Sequence, residues 1–91
     1  MDDVRDNAER SRYELELSGE IAVAEYRRQG GTLLITHTHT PPALRGQGIA
    51  GRLVAGMLAD IRARGLKVTP LCSYVVEYFE RNPDQQDLLA S

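Results

Sequence analysis

The sequence predicts an α+β (α/β) fold: an antiparallel three-strand meander, then a helix, a parallel fourth strand and a C-terminal helix. Apolar and polar residues alternate with a period of two in the first part of the chain, as in half-buried strands. From residue 49 the apolar period lengthens to about 3.6, which is typical of an amphipathic helix. A length of 91 residues suits one domain, with an expected core over 12–89 and a flexible segment over 1–10.

The three strands of the meander are separated by short turns. Residues 12–17 read Arg-Tyr-Glu-Leu-Glu-Leu, the alternation of a strand with one buried face. A Ser-Gly turn follows, and residues 21–26 complete an antiparallel hairpin. A Gly-Gly turn leads into residues 32–40, which are rich in β-branched side chains and end at two prolines. Each strand is therefore expected to pair with the next.

The second part of the chain predicts a β-α-β unit. Ile49 opens an apolar stripe at a spacing of four residues, and Gly65 ends the helix after a basic last turn. Residues 67–72 form the fourth strand, and a shorter helix runs from about Tyr74 to Arg81. A strand-helix-strand connection with short links should form a right-handed parallel crossover.

Composition narrows the function classes. Apolar residues make up 42% of the chain and charged residues 26%, as in soluble globular proteins. A net charge of −2 gives no general attraction to nucleic acid or to membranes. Cys72 is the single cysteine, so no intramolecular disulfide can form. We expect a cytoplasmic protein without nucleic-acid or membrane partners; the oligomeric state is not predicted.

The start of the long helix is the strongest candidate site. It lies at the carboxyl end of the third strand, where open α/β sheets bind ligands. Gly46, Gly48 and Gly51 keep side chains away from the first-turn amides, which favours a bound anion such as a phosphate. Arg45 adds a cationic fork. The competing interpretation is an ordinary turn that leads into a helix.

Known phosphate motifs discriminate between ligands. The three glycines match the dinucleotide pattern G-x-G-x-x-G, but the next strand ends without the acidic residue that binds ribose. A P-loop is excluded because no Gly-Lys-Ser/Thr closes the loop. The remaining pattern is Arg-x-x-Gly-x-Ala, formed by Arg45, Gly48 and Ala50. It resembles the pyrophosphate motif of the GNAT acetyltransferase superfamily.

An ordered set of segments extends this resemblance over about residues 13–89. The segments are Thr-His-Thr at 36–38, Gly-Leu-Lys-Val at 65–68, Pro-Leu-Cys-Ser-Tyr at 70–74 and Asn-Pro at 82–83. Together they are similar to small stand-alone GNAT-like N-acetyltransferases. The resemblance implies a trimmed GNAT fold without the usual first strand and helices, with acetyl-CoA between the third and fourth strands. The cofactor-binding residues expected from motif and position are His37, Thr38, Arg45, Gly46, Gln47, Gly48, Ile49, Ala50, Gly51 and Cys72.

Three residues are candidates for catalysis. His37 is a possible general base, since histidine titrates near neutral pH, and with His39 it is expected on the strand face of Ile35. A structural histidine is the alternative, and a metal site is not expected without a third ligand. Cys72 ends the strand that should flank the thioester, although it can equally be a buried apolar residue. The resemblance gives Tyr78 the role of protonating the departing thiolate, a position that Tyr74 shares, and ring packing is the alternative for both.

These observations predict an acetyl-CoA-dependent N-acetyltransferase. The acceptor is an amine, which can be a protein lysine, an N-terminus or a small metabolite. A non-catalytic acyl-CoA-binding module or sensor is the main alternative, because so short a chain has little surface for selecting an acceptor. A third possibility is a structural protein whose open sheet edge pairs with another chain.

Overall fold

A computed structural model describes residues 3–90 of the chain. The strands are β1 (Arg5–Asn7), β2 (Arg12–Leu17), β3 (Glu20–Gln29), β4 (Thr32–His39) and β5 (Lys67–Pro70). The α-helices are α1 (Ile49–Ala63) and α2 (Ser73–Arg81). Short 3₁₀ helices lie at Ala8–Arg10, Pro42–Leu44 and Pro83–Leu88.

The strands form one mixed sheet in the order β1-β2-β3-β4-β5. Neighbours from β1 to β4 are antiparallel, whereas β5 is parallel to β4. The α1 helix makes the crossover between β4 and β5, because a parallel connection needs a long intervening segment. The α+β class, the meander, the parallel strand and the C-terminal helix are therefore confirmed.

The core lies between the helices and one face of the sheet. Side chains of both helices join alternate residues of the strands in a single buried cluster. Its largest fully buried members are Tyr13, Leu15, Leu33, Ile35, Leu53, Met57, Leu58 and Ile61. The longest helix has 15 residues, and no helix of the part that the structure describes is long and apolar enough to cross a membrane.

The N-terminal segment departs from the sequence-based prediction. Residues 1–10 were expected to be flexible, but the short strand β1 pairs with β2 at the edge of the sheet. Val4 then packs on α1 at Gly56, where an added Cβ would collide with the valine side chain. This contact between distant parts of the chain orders the segment. Residues 1 and 2 lie outside the described residues, and the single domain over 1–91 stays a prediction.

A β-bulge interrupts the pairing of β3 with β4. Tyr26 pairs with Ile35, and the preceding residue Glu25 pairs with His37. Thr36 is thus the extra residue that has no partner on β3. A bulge of this kind reverses the alternation of side chains along the strand. The two ends of β4 therefore present opposite residue parities to the core.

This bulge corrects the predicted placement of the two histidines. His37 and His39 were expected on the face of Ile35, but both are exposed on the opposite face of the sheet. Thr38 takes the core-facing position instead, since its partner on β3 is the fully buried Ala24. A prediction from periodicity alone continues the side-chain alternation of the first half of β4 through its second half. It therefore places the histidines on the wrong face.

A polar network closes the C-terminal end of α1. The Tyr13 hydroxyl donates a hydrogen bond to Asp60 Oδ2 at 2.6 Å, and the Tyr26 hydroxyl donates one to Asp6 Oδ1 at 2.6 Å. Arg64 Nη1 joins the two carboxylates, at 2.9 Å from Asp6 and 3.2 Å from Asp60. The network fastens β1, β2 and β3 to the helix, and each of its polar groups has a partner.

Candidate active site

An opening separates β4 from β5 at the carboxyl ends of both strands. Their pairing stops at Ile35 and Pro70. The amides of Leu71 and Cys72 then both donate to the Ile35 carbonyl, at 2.9 Å and 3.1 Å, and the chain turns into α2. β4 continues to His39 beyond this point. Its backbone over 36–39 therefore has no strand beside it on the β5 side and can pair with an extended ligand.

A pocket of about 170 Å³ lies at the start of α1. Gly46 and Gly48 adopt left-handed conformations there, with φ of 81° and 71°. Gly48 is the N-cap of α1 and has no side chain to satisfy the first-turn amides, so these donors remain available to a ligand. The helix dipole adds positive character at the same point. The pocket is lined by Thr40, Leu44, Arg45, Gly46, Gly48, Ile49, Ala50, Gly51 and Tyr74.

Two side chains of the preceding loop fix its shape. Arg45 Nε donates to the Thr40 carbonyl at 3.0 Å, and Gln47 Nε2 donates to the Ala43 carbonyl at 3.2 Å. Arg45 is exposed and lines the pocket, and its Nε bond holds the guanidinium beside the loop. A guanidinium in this position can form a charge-assisted bond to an anion.

Cys72 is the N-cap residue of α2 and is half-buried. Its Sγ lies 3.4 Å from Thr38 Oγ1, across the opening from β4. Burial raises the pKa of the thiol, but the Thr38 hydroxyl and the nearby amides of Val75 and Tyr74 outweigh burial and lower it from the ordinary value. Neither first-turn amide makes a capping hydrogen bond to the sulfur. The environment therefore favours the thiolate more than an isolated cysteine does.

His37 is not brought to Cys72. The bulge turns the imidazole to the exposed face of the sheet, whereas Cys72 and Thr38 meet on the core side. The groups that lower the pKa of the thiol are therefore the Thr38 hydroxyl and the amides at the start of α2, and His37 is not among them. Within residues 3–90 no group of three or more His, Cys, Asp or Glu side chains could hold a metal ion.

The two tyrosines of α2 have different surroundings. Tyr78 packs against the core, and burial, followed by the nearby Tyr74 and Asp84, raises the pKa of its phenol. Tyr78 thus keeps its proton throughout the physiological range. Tyr74 lies one turn earlier and lines the α1 pocket. A Cβ placed on Gly51 would lie 3.7 Å from the Tyr74 hydroxyl oxygen, so this phenol covers the first turn of α1.

Exposed apolar side chains also flank Cys72. Leu71 is 59% exposed and Val76 is 38% exposed. They occupy the position before the N-cap and the fourth helical position of α2, which is the spacing of a hydrophobic staple.

Comparison with known proteins agrees with this geometry. The sequence model of the GCN5-related N-acetyltransferases matches residues 12–88, most of the chain. The chain belongs to this family. The resemblance inferred from the motifs is therefore confirmed.

Individual relatives support the same assignment. Protein NATD1 of Mus musculus is 32% identical over 88 residues, covering 93% of this chain and 80% of the relative. Protein NATD1 of Homo sapiens is 32% identical over the same length, with 78% of the relative covered. A solution structure of a GCN5-like protein from Staphylococcus aureus has a TM-score of 0.73 at 21% identity, covering 98% of this chain and 88% of that one. This last likeness supports the fold.

Within this GCN5-related fold, the sequence-predicted residues fall into three groups. Most of the glycine-loop residues line one pocket, and Thr38 meets Cys72 at the end of the β4–β5 opening. His37 lies on the other face of the sheet. Tyr74, which the resemblance offered beside Tyr78 as a candidate acid and not as a cofactor-binding residue, lines the pocket from the second position of α2.

Proposed function

We propose that this protein is an acetyl-CoA-dependent N-acetyltransferase that transfers an acetyl group to an amine. One observation carries the proposal: the glycine-capped start of α1 lies beside the strand opening that ends at Cys72. A phosphate-binding helix start and a thiol at the other end of one groove suit a ligand with a pyrophosphate and a distant reactive thioester. A cytoplasmic location is part of the proposal, because a reducing compartment keeps the free Cys72 as a thiol.

The loop and the strand edge would hold different parts of the ligand. The amides at the start of α1 and the guanidinium of Arg45 suit the pyrophosphate, since both present donors to an anion. The backbone of residues 36–39 suits the amides of the pantetheine arm, because this stretch extends past the end of β5. These two contacts would direct the thioester toward Cys72 and Thr38.

Acetyl-CoA supplies an activated acetyl group, and the residues at the opening would move the protons. The amine nitrogen bonds to the carbonyl carbon, and the bond from that carbon to sulfur breaks. A backbone N–H near the bulge is suited to stabilise the oxygen that becomes negative. Cys72, whose pKa is lowered from the ordinary value, is suited to accept the proton of the attacking amine. The protonated phenol of Tyr78 is suited to return a proton to the departing thiolate.

Direct attack by the amine is favoured over an acetyl-cysteine intermediate. The Thr38 hydroxyl already occupies the approach to the sulfur at 3.4 Å, and Cys72 is half-buried. His37 stays a candidate base only for an amine that approaches from the exposed face of the sheet. A loss of turnover in His37→Ala with unchanged CoA affinity would assign it that role.

The test is intact-mass analysis of the protein and of candidate acceptors after incubation with acetyl-CoA. The acceptors are a protein substrate rich in lysines, a peptide with a free N-terminus, and small amines. Acetylation of one class, absent with Cys72→Ser, is the expected result. CoA binding without acetylation of any acceptor would instead indicate an acyl-CoA-binding module or sensor.

A labelling experiment separates the two mechanisms. Saturating CoA should slow alkylation of Cys72, and Cys72→Ser should keep its CoA affinity. An acetyl group that accumulates on Cys72 and passes to an amine would show a covalent intermediate and would overturn direct attack. An alkylation rate that CoA does not change would remove Cys72 from the site.

A further inference from the structure

Tyr74 connects the two ends of the groove. It belongs to the first turn of α2, directly after the residues that place Cys72 at the N-cap. Its phenol reaches back to the start of α1 and lines the same pocket as Arg45, Gly46 and Gly48. The hydroxyl oxygen stands 3.7 Å from the position that a Cβ on Gly51 would occupy, an ordinary contact distance.

The hydroxyl of Tyr74 is available to a ligand. The hydroxyls of Tyr13 and Tyr26 donate to Asp60 and Asp6, both at 2.6 Å. Within residues 3–90 the Tyr74 hydroxyl has no hydrogen-bond partner, and the residue is 37% exposed. A phenol whose O–H is not used inside the protein can donate a hydrogen bond to a ligand.

We propose that Tyr74 is a binding residue of the pyrophosphate site, and that its hydroxyl donates a hydrogen bond to a phosphate oxygen. The inference rests on the proposed acetyl-CoA site and adds α2 to the elements that hold the anion. The donor completes a ring with the first-turn amides of α1 and the guanidinium of Arg45. Tyr78, which packs against the core one turn later, does not line this pocket.

The proposal predicts which parts of the ligand should depend on Tyr74. ADP carries a pyrophosphate without a pantetheine arm, and pantetheine carries the arm without the pyrophosphate. Removal of the Tyr74 hydroxyl should therefore weaken CoA and ADP by the same factor, roughly five- to tenfold for one hydrogen bond to a charged group at a partly exposed site. Pantetheine affinity should stay unchanged.

The experiment is calorimetric titration of wild type, Tyr74→Phe and Tyr78→Phe with CoA, ADP and pantetheine. Tyr74→Phe keeps the ring and removes only a hydroxyl that has no partner in the described residues, so its melting temperature without ligand should match that of the wild type. Tyr78→Phe is the matched control and should keep its ADP affinity. A loss confined to CoA and ADP in Tyr74→Phe supports the inference.

The other outcomes show whether the inference about Tyr74 or the proposed function is wrong. If Tyr74→Phe binds CoA and ADP as tightly as the wild type, the inference is wrong while the acetyl-CoA site stands. If pantetheine affinity falls and ADP affinity does not, the hydroxyl serves the other end of the groove and the inference is again overturned. If the wild type binds neither CoA nor ADP, the proposed function itself fails.

Discussion

The two ends of α1 differ in whether their polar groups are hydrogen-bonded within the protein. At the C-terminal end, Tyr13, Asp60, Arg64 and Asp6 exchange hydrogen bonds, so the polar groups there are partnered within the protein. At the N-terminal end, Gly48 provides no capping side chain, and the loop before it opens into a pocket. One end of the helix fastens the sheet, and the other leaves donors for a ligand.

This difference separates the groups that stabilise the fold from the groups that are available to bind a ligand. Partnered polar groups contribute to folding because their desolvation is compensated. Unpartnered amides at a helix start favour an anion instead, and the chain does not satisfy them itself. Substitutions at the two ends of α1 should therefore separate effects on folding from effects on binding.

The largest effect on binding is expected from Gly48→Asp. The new carboxylate would stand at the amides that are proposed to bind the pyrophosphate, and like charges repel at short range. CoA affinity should fall by at least about 100-fold, or roughly 2.7 kcal/mol, in calorimetric titration.

Gly65→Asp is the matched control at the other end of the helix. Both glycines have positive φ, 71° and 69°, and open space around the position of an added Cβ. Gly65→Asp should lower the melting temperature and leave CoA affinity unchanged. Equal loss of CoA affinity in the two variants would mean that helix strain, and not the site, controls binding.

The next effect concerns folding and is expected from Tyr13→Phe. This variant removes the hydrogen bond to Asp60 from a fully buried ring, and should lower the free energy of unfolding by about 1–2 kcal/mol. Urea unfolding measures this change. CoA affinity per folded molecule should not change, and a tenfold weaker affinity would contradict the separation of the two ends.

A smaller effect is expected from Arg45→Ala. The guanidinium is exposed and already bonded to the Thr40 carbonyl, so its contribution to CoA binding should be near the lower limit for a charged hydrogen bond, about 1.5 kcal/mol. The loss should shrink with added salt, because salt screens exposed charges. Arg62→Ala, which removes an exposed pair with Asp87 at the other end of α1, is the control and should keep its affinity.

The smallest of the expected effects is a loss of stability at alkaline pH. It concerns the hydrogen-bonded tyrosines near the C-terminal end of α1. Burial, and then the Asp6 carboxylate, raise the pKa of Tyr26 to about 12, and burial and Asp60 raise the pKa of Tyr13 further. Unfolded tyrosines ionise near pH 10. A raised pKa in the folded state stabilises the protein below pH 10, and this contribution is lost as the pH rises toward 12. Urea unfolding between pH 8 and pH 11 should show the decline, and Tyr13→Phe should show less of it.

Much of the fold follows from local sequence patterns. Strong period-two and period-3.6 patterns predict β2, β4 and α1, and paired turn residues set the meander. β1 was missed because three polar residues carry no apolar pattern. Its place depends on Asp6 reaching Tyr26 and on Val4 packing against Gly56, contacts between distant parts of the chain.

The sequence located the part of the candidate site that one short segment forms. It misplaced the part that depends on the pairing of two strands. Gly48 and its neighbours form the pocket at the start of α1 through local backbone geometry, which the glycine-rich sequence indicates. His37 was placed on the wrong face because a bulge depends on how two strands pair. No residue type within β4 indicates it. The place of Tyr74 in the lining of the pocket depends on the packing of α2 beside α1, a contact that its position in the sequence does not specify.

The most direct test of the account is an amide NMR titration of the ¹⁵N-labelled protein with CoA. The predicted result is that chemical shift changes concentrate in residues 46–51, in residues 36–39 and at Cys72, while Tyr13 and Arg64 at the other end of α1 change little. Changes centred on the Tyr13 and Arg64 end, or on the exposed face of the sheet around Glu25, would contradict a cofactor site at the start of α1.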